Sequence, residues 1–192
     1  MGKGKREFPF SFALGACYTC SMKRVSLLVS LLLLSSCLFA ANIRSVFSGT
    51  AFSGMPVSSS QLARKERTLL FVWATWCGFC RAEMPDLAEV ADAYPTVQVI
   101  GVCTDLADSK GGINPRQRKV AQQIMEKAGL RVLTIAPSSG LSSTLLDSLS
   151  GIPAAFWLDA NGEILEGPLY GRQTKERCKQ QRCRNWCYHG YC

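Results

Sequence analysis

Histidine is nearly absent from this 192-residue chain: the single one, His189, sits in the last stretch, and residues 42–175 contain none. That central segment also holds only one Cys-x-x-Cys, Cys77 to Cys80. A structural metal centre built on these two cysteines would therefore lack the second Cys-x-x-Cys or histidine pair needed to complete four ligands. Internal repeats are missing too. So is any run of about 20 apolar residues, the length a comfortable membrane-spanning helix requires. Net positive charge is scarce where it would matter for nucleic acid. The net charge of +8 divides into +4 over residues 1–41, +1 over 42–175 and +3 over 176–192. The central segment is nearly neutral and has no basic face interleaved with aromatics, which excludes a nucleic-acid partner.

What remains is enough for one ordinary core. A chain of 192 residues with 47% hydrophobic content can bury one core but hardly two. The expectation is a leader over 1–41, one domain over 42–171, and a basic cysteine-rich tail over 172–192. Met22-Lys23-Arg24 precedes an apolar run at 25–34 followed by small residues, the plan of a bacterial export signal. Residues 1–21 stand in front of it, which points either to translation from Met22 or to an unusual n-region. Leu34-Ser35-Ser36-Cys37 matches the lipobox pattern, in which Cys37 would be acylated and anchor the protein to a bilayer. Cleavage after Ala40 or Ala41, or an uncleaved tilted anchor over 25–41, are the alternatives. The leader sends the protein to the cell envelope, on the periplasmic side, as a lipoprotein or a secreted protein.

The central segment alternates strand and helix patterns. Leu69-Leu70-Phe71-Val72-Trp73 is a continuous apolar stretch suited to a strand covered on both faces. Met84, Leu87, Ala88, Ala91 and Tyr94 follow at helical spacing, and Tyr94-Pro95 ends that helix. Pro85 denies a hydrogen bond to the carbonyl of Arg81, so a kink is expected there. A strand over 97–103, a polar loop over 105–115, a helix over 116–128, a strand over 131–136 and a short helix over 141–149 continue the pattern. A hairpin over 154–158 and 163–166 turns through Asn161-Gly162. The order predicts an α/β fold with a central mixed sheet flanked by helices.

With a helix starting at Cys77, its sulfur lies against unpaired backbone N–H groups and the positive end of the helix dipole. The thiolate is favoured there, and the thiolate is the nucleophile. Cys80, three residues on, shares the helical face and can close a disulfide with Cys77. Cys77 would attack a partner disulfide and Cys80 would resolve the mixed disulfide. Cys103 reads as a small core residue.

Trp76-Cys77-Gly78-Phe79-Cys80 after an apolar strand resembles the active site of the thioredoxin superfamily. Two longer patterns, Cys77-x-x-Cys80-x-x-Glu83-x-Pro85 and Gly151-Ile152-Pro153-x-x-Phe156-x-Leu158-Asp159-x-Asn161-Gly162, resemble the exported TlpA/ResA/DsbE-like thiol-disulfide oxidoreductases over about residues 53–171. That resemblance implies a thioredoxin fold, an envelope location, and reduction of disulfides in other exported proteins, often apocytochrome c. It implies no cofactor beyond the Cys77–Cys80 pair. The implied partners are disulfide-containing exported proteins and a membrane thiol protein that donates electrons.

By position, Pro153 matches a cis-proline facing the pair, and Ile152 offers backbone groups to an extended substrate. Trp76, Gly78 and Phe79 join them as candidate substrate contacts. Glu83 matches a carboxylate that helps move protons, with a solvated helix residue as the plainer reading. For Trp76 the plainer reading is a core or rim aromatic. Phe71 stands where thioredoxin has a buried acid, which shifts any such duty to Glu83 or water.

Gly78-Phe79 leaves the redox poise open, so an oxidase or isomerase is the second reading, and a redox-inert peptide-binding module is the third. A peroxidase lacks support. From Gly171 onward no apolar helical stripe is visible, so the expectation is a cysteine-rich tail in place of the usual final helix. Cys178, Cys183, Cys187 and Cys192, with His189, are open to disulfides, free thiols or zinc. A change of reading frame near Gln173 is a further explanation of the abrupt composition.

Overall fold

The computed structural model describes residues 42–108 and 112–187, with side chains to Gln181. The leader, Cys37, His189 and Cys192 lie outside the described residues, as do the side chains of Cys183 and Cys187.

Seven strands form one mixed sheet. They are β1 (Ser48–Ala51), β2 (Pro56–Ser58), β3 (Arg67–Trp73), β4 (Val97–Cys103), β5 (Leu133–Pro137), β6 (Ala154–Asp159) and β7 (Ile164–Tyr170). Three helices of more than two turns accompany them: α1 (Gly78–Ala93), α2 (Pro115–Lys127) and α3 (Lys175–Cys187). The strand order is β2-β1-β5-β4-β3-β6-β7. β3, β4 and β5 run parallel, whereas β6 pairs antiparallel with β3, β7 with β6, β1 with β5 and β2 with β1. This is the thioredoxin-type α/β architecture that the resemblance implies.

The apolar run of β3 is explained by its two faces. Leu69, Phe71 and Trp73 pack with Cys80, Met84, Leu87 and Val90 of α1 and with Ala121 and Met125 of α2. Leu70 and Val72 point the other way, into a cluster with Ile43, Phe47 and Leu62. Successive strand side chains alternate between faces, so a strand covered on both must be apolar throughout. Gly101 in β4 is required by close approach: a Cβ there would meet Thr134 Oγ1 at 2.6 Å and Trp73 Nε1 at 3.2 Å. Gly162, in the turn between β6 and β7, has φ +81°, which a side chain resists.

Several expected boundaries shift. The helix expected at 141–149 is a single turn at Ser139–Leu141 continued by a π-helical turn at Ser142–Leu146. α2 begins one residue earlier than expected, at Pro115, because Asn114 Oδ1 accepts from the backbone N–H groups of Arg116 and Gln117. α1 continues through Pro85 to Ala93.

The largest correction concerns the tail. The final helix is not replaced: residues 175–187 form it, and it packs on α1. Polar hooks do what an apolar stripe does elsewhere. Thr174 Oγ1 accepts from Arg177 N–H at 3.2 Å, Cys178 is buried in the core, and buried Gln181 accepts from Trp157 Nε1–H at 3.1 Å. Lys175 lies 3.7 Å from Glu89 of α1 at the surface.

Replacing Gln181 by Leu leaves the buried indole N–H of Trp157 without an acceptor, a loss of about 1–3 kcal/mol. Urea unfolding at equilibrium should show that loss; an unchanged midpoint would mean that α3 does not close the core through this bond.

Candidate active site

β3 ends at Trp73, and four residues later the chain enters α1. The intervening loop is held from the neighbouring strand. Thr104 N–H donates to Trp73 O at 2.9 Å. Just beyond, the Asp105 carboxylate accepts from the Thr75 N–H at 3.1 Å, from the Thr75 hydroxyl, from Cys103 Sγ at 3.2 Å and from Gln117 Nε2 at 3.3 Å. Asp105 was read in the sequence only as part of a polar loop. Its signal is its place, an acid directly past the C-terminal end of a parallel strand, where α/β sheets build their sites.

Cys77 is the N-cap of α1. Its extended backbone turns the chain into the helix, its carbonyl accepts from Arg81 N–H at 3.2 Å, and its Sγ accepts from Cys80 N–H at 3.1 Å. Caps of this kind satisfy donors that have no partner inside the helix. Cys77 and Cys80 form a disulfide with Cα atoms 5.3 Å apart. Cys80 is fully buried and Cys77 is 4% exposed, so only an edge of the first sulfur's residue meets solvent.

The surroundings are uneven. Trp76 is 70% exposed and Phe79 84% exposed, two large apolar side chains that frame the start of the helix beside exposed Gly78. The core reading of Trp76 is thereby corrected. The Ile152–Pro153 peptide is cis, as expected for the position that Pro153 matches. A groove of about 500 Å³ runs past the helix, lined among others by Phe79, Ala82, Glu83, Ile152, Pro153 and Arg172. Four of the candidate residues, Phe79, Glu83, Ile152 and Pro153, from two distant motifs thus line one groove; Cys77, Cys80, Trp76 and Gly78 do not line it.

Glu83 departs from the solvated reading, with only 1% of its surface exposed. Gln173 N–H donates to its Oε1 at 2.9 Å, and Arg172 on the same segment forms an ion pair with Asp86 of α1. Burial raises the Glu83 carboxyl to about 7 against the lowering pull of the Gln173 hydrogen bond. No sequence pattern signals this environment, because the donor is a main-chain group 90 residues away.

Among the described residues two other thiols are buried and free, Cys103 and Cys178. Burial pushes the Cys103 thiol far up, as the core reading requires, and pushes Cys178 up to about 12. Among the described residues no group of three or more His, Cys, Asp or Glu side chains is placed to hold a metal.

The profile of the AhpC/TSA family matches residues 44–166. Over 65 residues the chain is 43% identical to the soluble secreted antigen MPT53 of Mycobacterium tuberculosis, covering 34% of this chain and 37% of that protein. It is 27% identical over 114 residues to the sporulation thiol-disulfide oxidoreductase A of Bacillus subtilis, covering 58% and 66%. The match therefore spans less than two thirds of the length of these relatives. Among solved structures, a secreted Mycobacterium tuberculosis disulfide oxidoreductase described as homologous to Escherichia coli DsbE superposes with a TM-score of 0.56 at 25% identity, over 74% of this chain and 99% of that one.

The buried carboxyl of Glu83 makes stability depend on pH in a defined direction. Its folded value, about 7, lies above the ordinary 4.5, so the folded state holds the proton more tightly than the unfolded chain. Its contribution is fully present below about 4.5 and is lost as pH rises through about 7, a loss on the order of 3 kcal/mol. Urea unfolding across this range should show the decline in the native protein and its absence in Glu83→Gln. Equal slopes in both proteins would contradict the assignment.

Proposed function

This chain belongs to the AhpC/TSA family, and on that premise we propose that it is a thiol-disulfide oxidoreductase that works by dithiol–disulfide exchange through Cys77 and Cys80. The observation that carries the reading is the pair itself: a disulfide at a helix N-terminus whose first sulfur accepts a backbone N–H, between two exposed aromatics and beside a groove that includes the Pro153 loop.

In the reduced enzyme the Cys77 thiolate attacks one sulfur of a substrate disulfide. A bond forms between Cys77 Sγ and that sulfur, the substrate S–S bond breaks, and the departing substrate thiolate takes a proton. Cys80, having lost its proton, then attacks Cys77 Sγ and expels the second substrate sulfur as a thiolate, which is protonated in turn. Two electrons pass from the enzyme to the substrate; of the two protons taken up, one balances that lost by Cys80 and the other that given to solvent when Cys77 ionised, and the Cys77–Cys80 disulfide is left. A thiol protein must reduce that disulfide for another turnover.

The direction we favour is reduction, with disulfides of exported proteins, apocytochrome c among the candidates, as substrates. The electron donor would be a membrane thiol protein, and the leader or an acylated Cys37 would hold the enzyme at the periplasmic side of the envelope. Two relatives described as secreted, the antigen MPT53 and the Mycobacterium tuberculosis disulfide oxidoreductase, support a setting outside the cytosol. The exposed rings of Trp76 and Phe79 support a protein rather than a small molecule as the disulfide carrier, since such aromatics anchor interfaces.

Insulin reduction by the purified protein tests this. Activity should be lost in Cys77→Ser, whereas Cys80→Ser should accumulate a mixed disulfide on Cys77. Full activity without Cys77 would overturn the reading. A reduction potential near the strongly oxidising end of the known range, about −120 mV, would replace the reductase by an oxidase.

A further inference from the structure

Among the described residues two buried side-chain oxygens have no donor, and they belong to residues in direct contact: Glu83 Oε2 and Gln173 Oε1. Both residues are enclosed, Glu83 at 1% and Gln173 at 0% exposure. Their other polar ends are committed. Gln173 N–H donates to Glu83 Oε1 at 2.9 Å, and Gln173 Nε2 donates to Gly171 O at 2.8 Å. The second bond fixes which end of the amide carries the oxygen, since a carbonyl must receive a donor.

An ionised carboxylate can only accept, so each of these two contacting, enclosed residues would keep a buried acceptor without a donor, a costly arrangement. One proton would resolve it: on Oε2 it turns an acceptor into a donor, and the residue already bonded to Oε1 carries an amide oxygen in need of one. We propose that Gln173 is a positioning residue that holds Glu83 as a carboxylic acid, its main-chain N–H donating to Oε1 and its side-chain oxygen accepting from the protonated Oε2. The inference deepens the exchange reading and rests on it only for its use. It names what sets the proton affinity of the carboxyl one turn beyond Cys80.

The other groups facing Glu83 do not supply that proton. On α1, Asp86 disfavours the carboxylate charge but is itself paired with Arg172. Arg172 and, from α3, Arg177 favour the charge, and the Cys178 thiol of α3 is held neutral by burial. The segment that places Gln173 is the stretch leading into α3, so the polar end of the chain completes the surroundings of the site.

The test titrates Glu83 by carbon NMR in the full chain labelled at glutamate. Gln173→Leu keeps the main-chain donor and removes only the side-chain acceptor. The Glu83 midpoint should fall from about 7 by an amount equal to about tenfold in proton affinity. Burial alone predicts the opposite, because leucine makes the surroundings more apolar, so an unchanged or raised midpoint would overturn the proposal. Gln173→Glu retains an acceptor that is itself acidic, and two carboxyls sharing one proton should raise the midpoint; a fall would overturn the proposal.

If Gln173→Leu does not fold, infrared spectra of the native protein below pH about 7 decide through a carboxylic-acid band that vanishes in Glu83→Gln; its absence overturns the proposal. Insulin reduction is scored separately. A native protein that never turns over defeats the exchange reading, while the midpoints still decide the role of Gln173.

Discussion

The first turn of α1 leaves backbone N–H groups without intrahelical acceptors, and the sulfur of Cys77 occupies the place where one of them, from Cys80, finds a partner at 3.1 Å. Negative charge on that sulfur is favoured by the hydrogen bond and by the helix dipole together. The position depends on how the chain arrives there. β3 is locked between β4 and β6 with both faces covered, so its end at Trp73 is fixed. Asp105, at the end of the adjacent β4, takes hold of Thr75 twice. The loop therefore delivers Cys77 to the helix mouth with little freedom, and Cys80 follows on the same face.

Such a sulfur reacts only with what can reach it. Cys77 is 4% exposed between Trp76 and Phe79, which protrude. On the proposed reading a partner disulfide would come down between these rings, as an extended segment of another protein beside the groove that Ile152 and Pro153 help to form would allow. The same enclosure keeps Glu83 out of water one turn farther along α1 and makes its carboxyl weakly acidic. The capped sulfur and the weakly acidic carboxyl behind it thus come from one arrangement, a helix that starts between exposed side chains and buries its next turn.

Much of this could be read from the chain. The apolar stretch at 69–73, the run at 97–103 and the Asn161-Gly162 turn correspond to β3, β4 and the β6–β7 hairpin, because each expresses a local rule: two covered faces, or a glycine at positive φ. β1 and β2 were not legible, since strands of four and three residues, each with one buried side chain, Ala51 and Val57, carry too little periodicity. α3 was not legible either. Its attachment uses Cys178 and Gln181 in place of a leucine stripe, and a buried glutamine reads as a surface residue until its tryptophan partner is known. Cys77, Cys80 and the cis peptide before Pro153 follow from short motifs. The burial of Glu83 and the part played by Asp105 arise from residues brought together across the fold, which spacing along one segment cannot express.

In the reduced protein the helix mouth favours the first sulfur as a thiolate. The pH dependence of alkylation of Cys77 in the reduced protein tests it most directly. The account predicts a midpoint well below the value for a free cysteine, about 8.5, and a rate at neutral pH above that of an unstructured thiol; a midpoint at or above that value would contradict it.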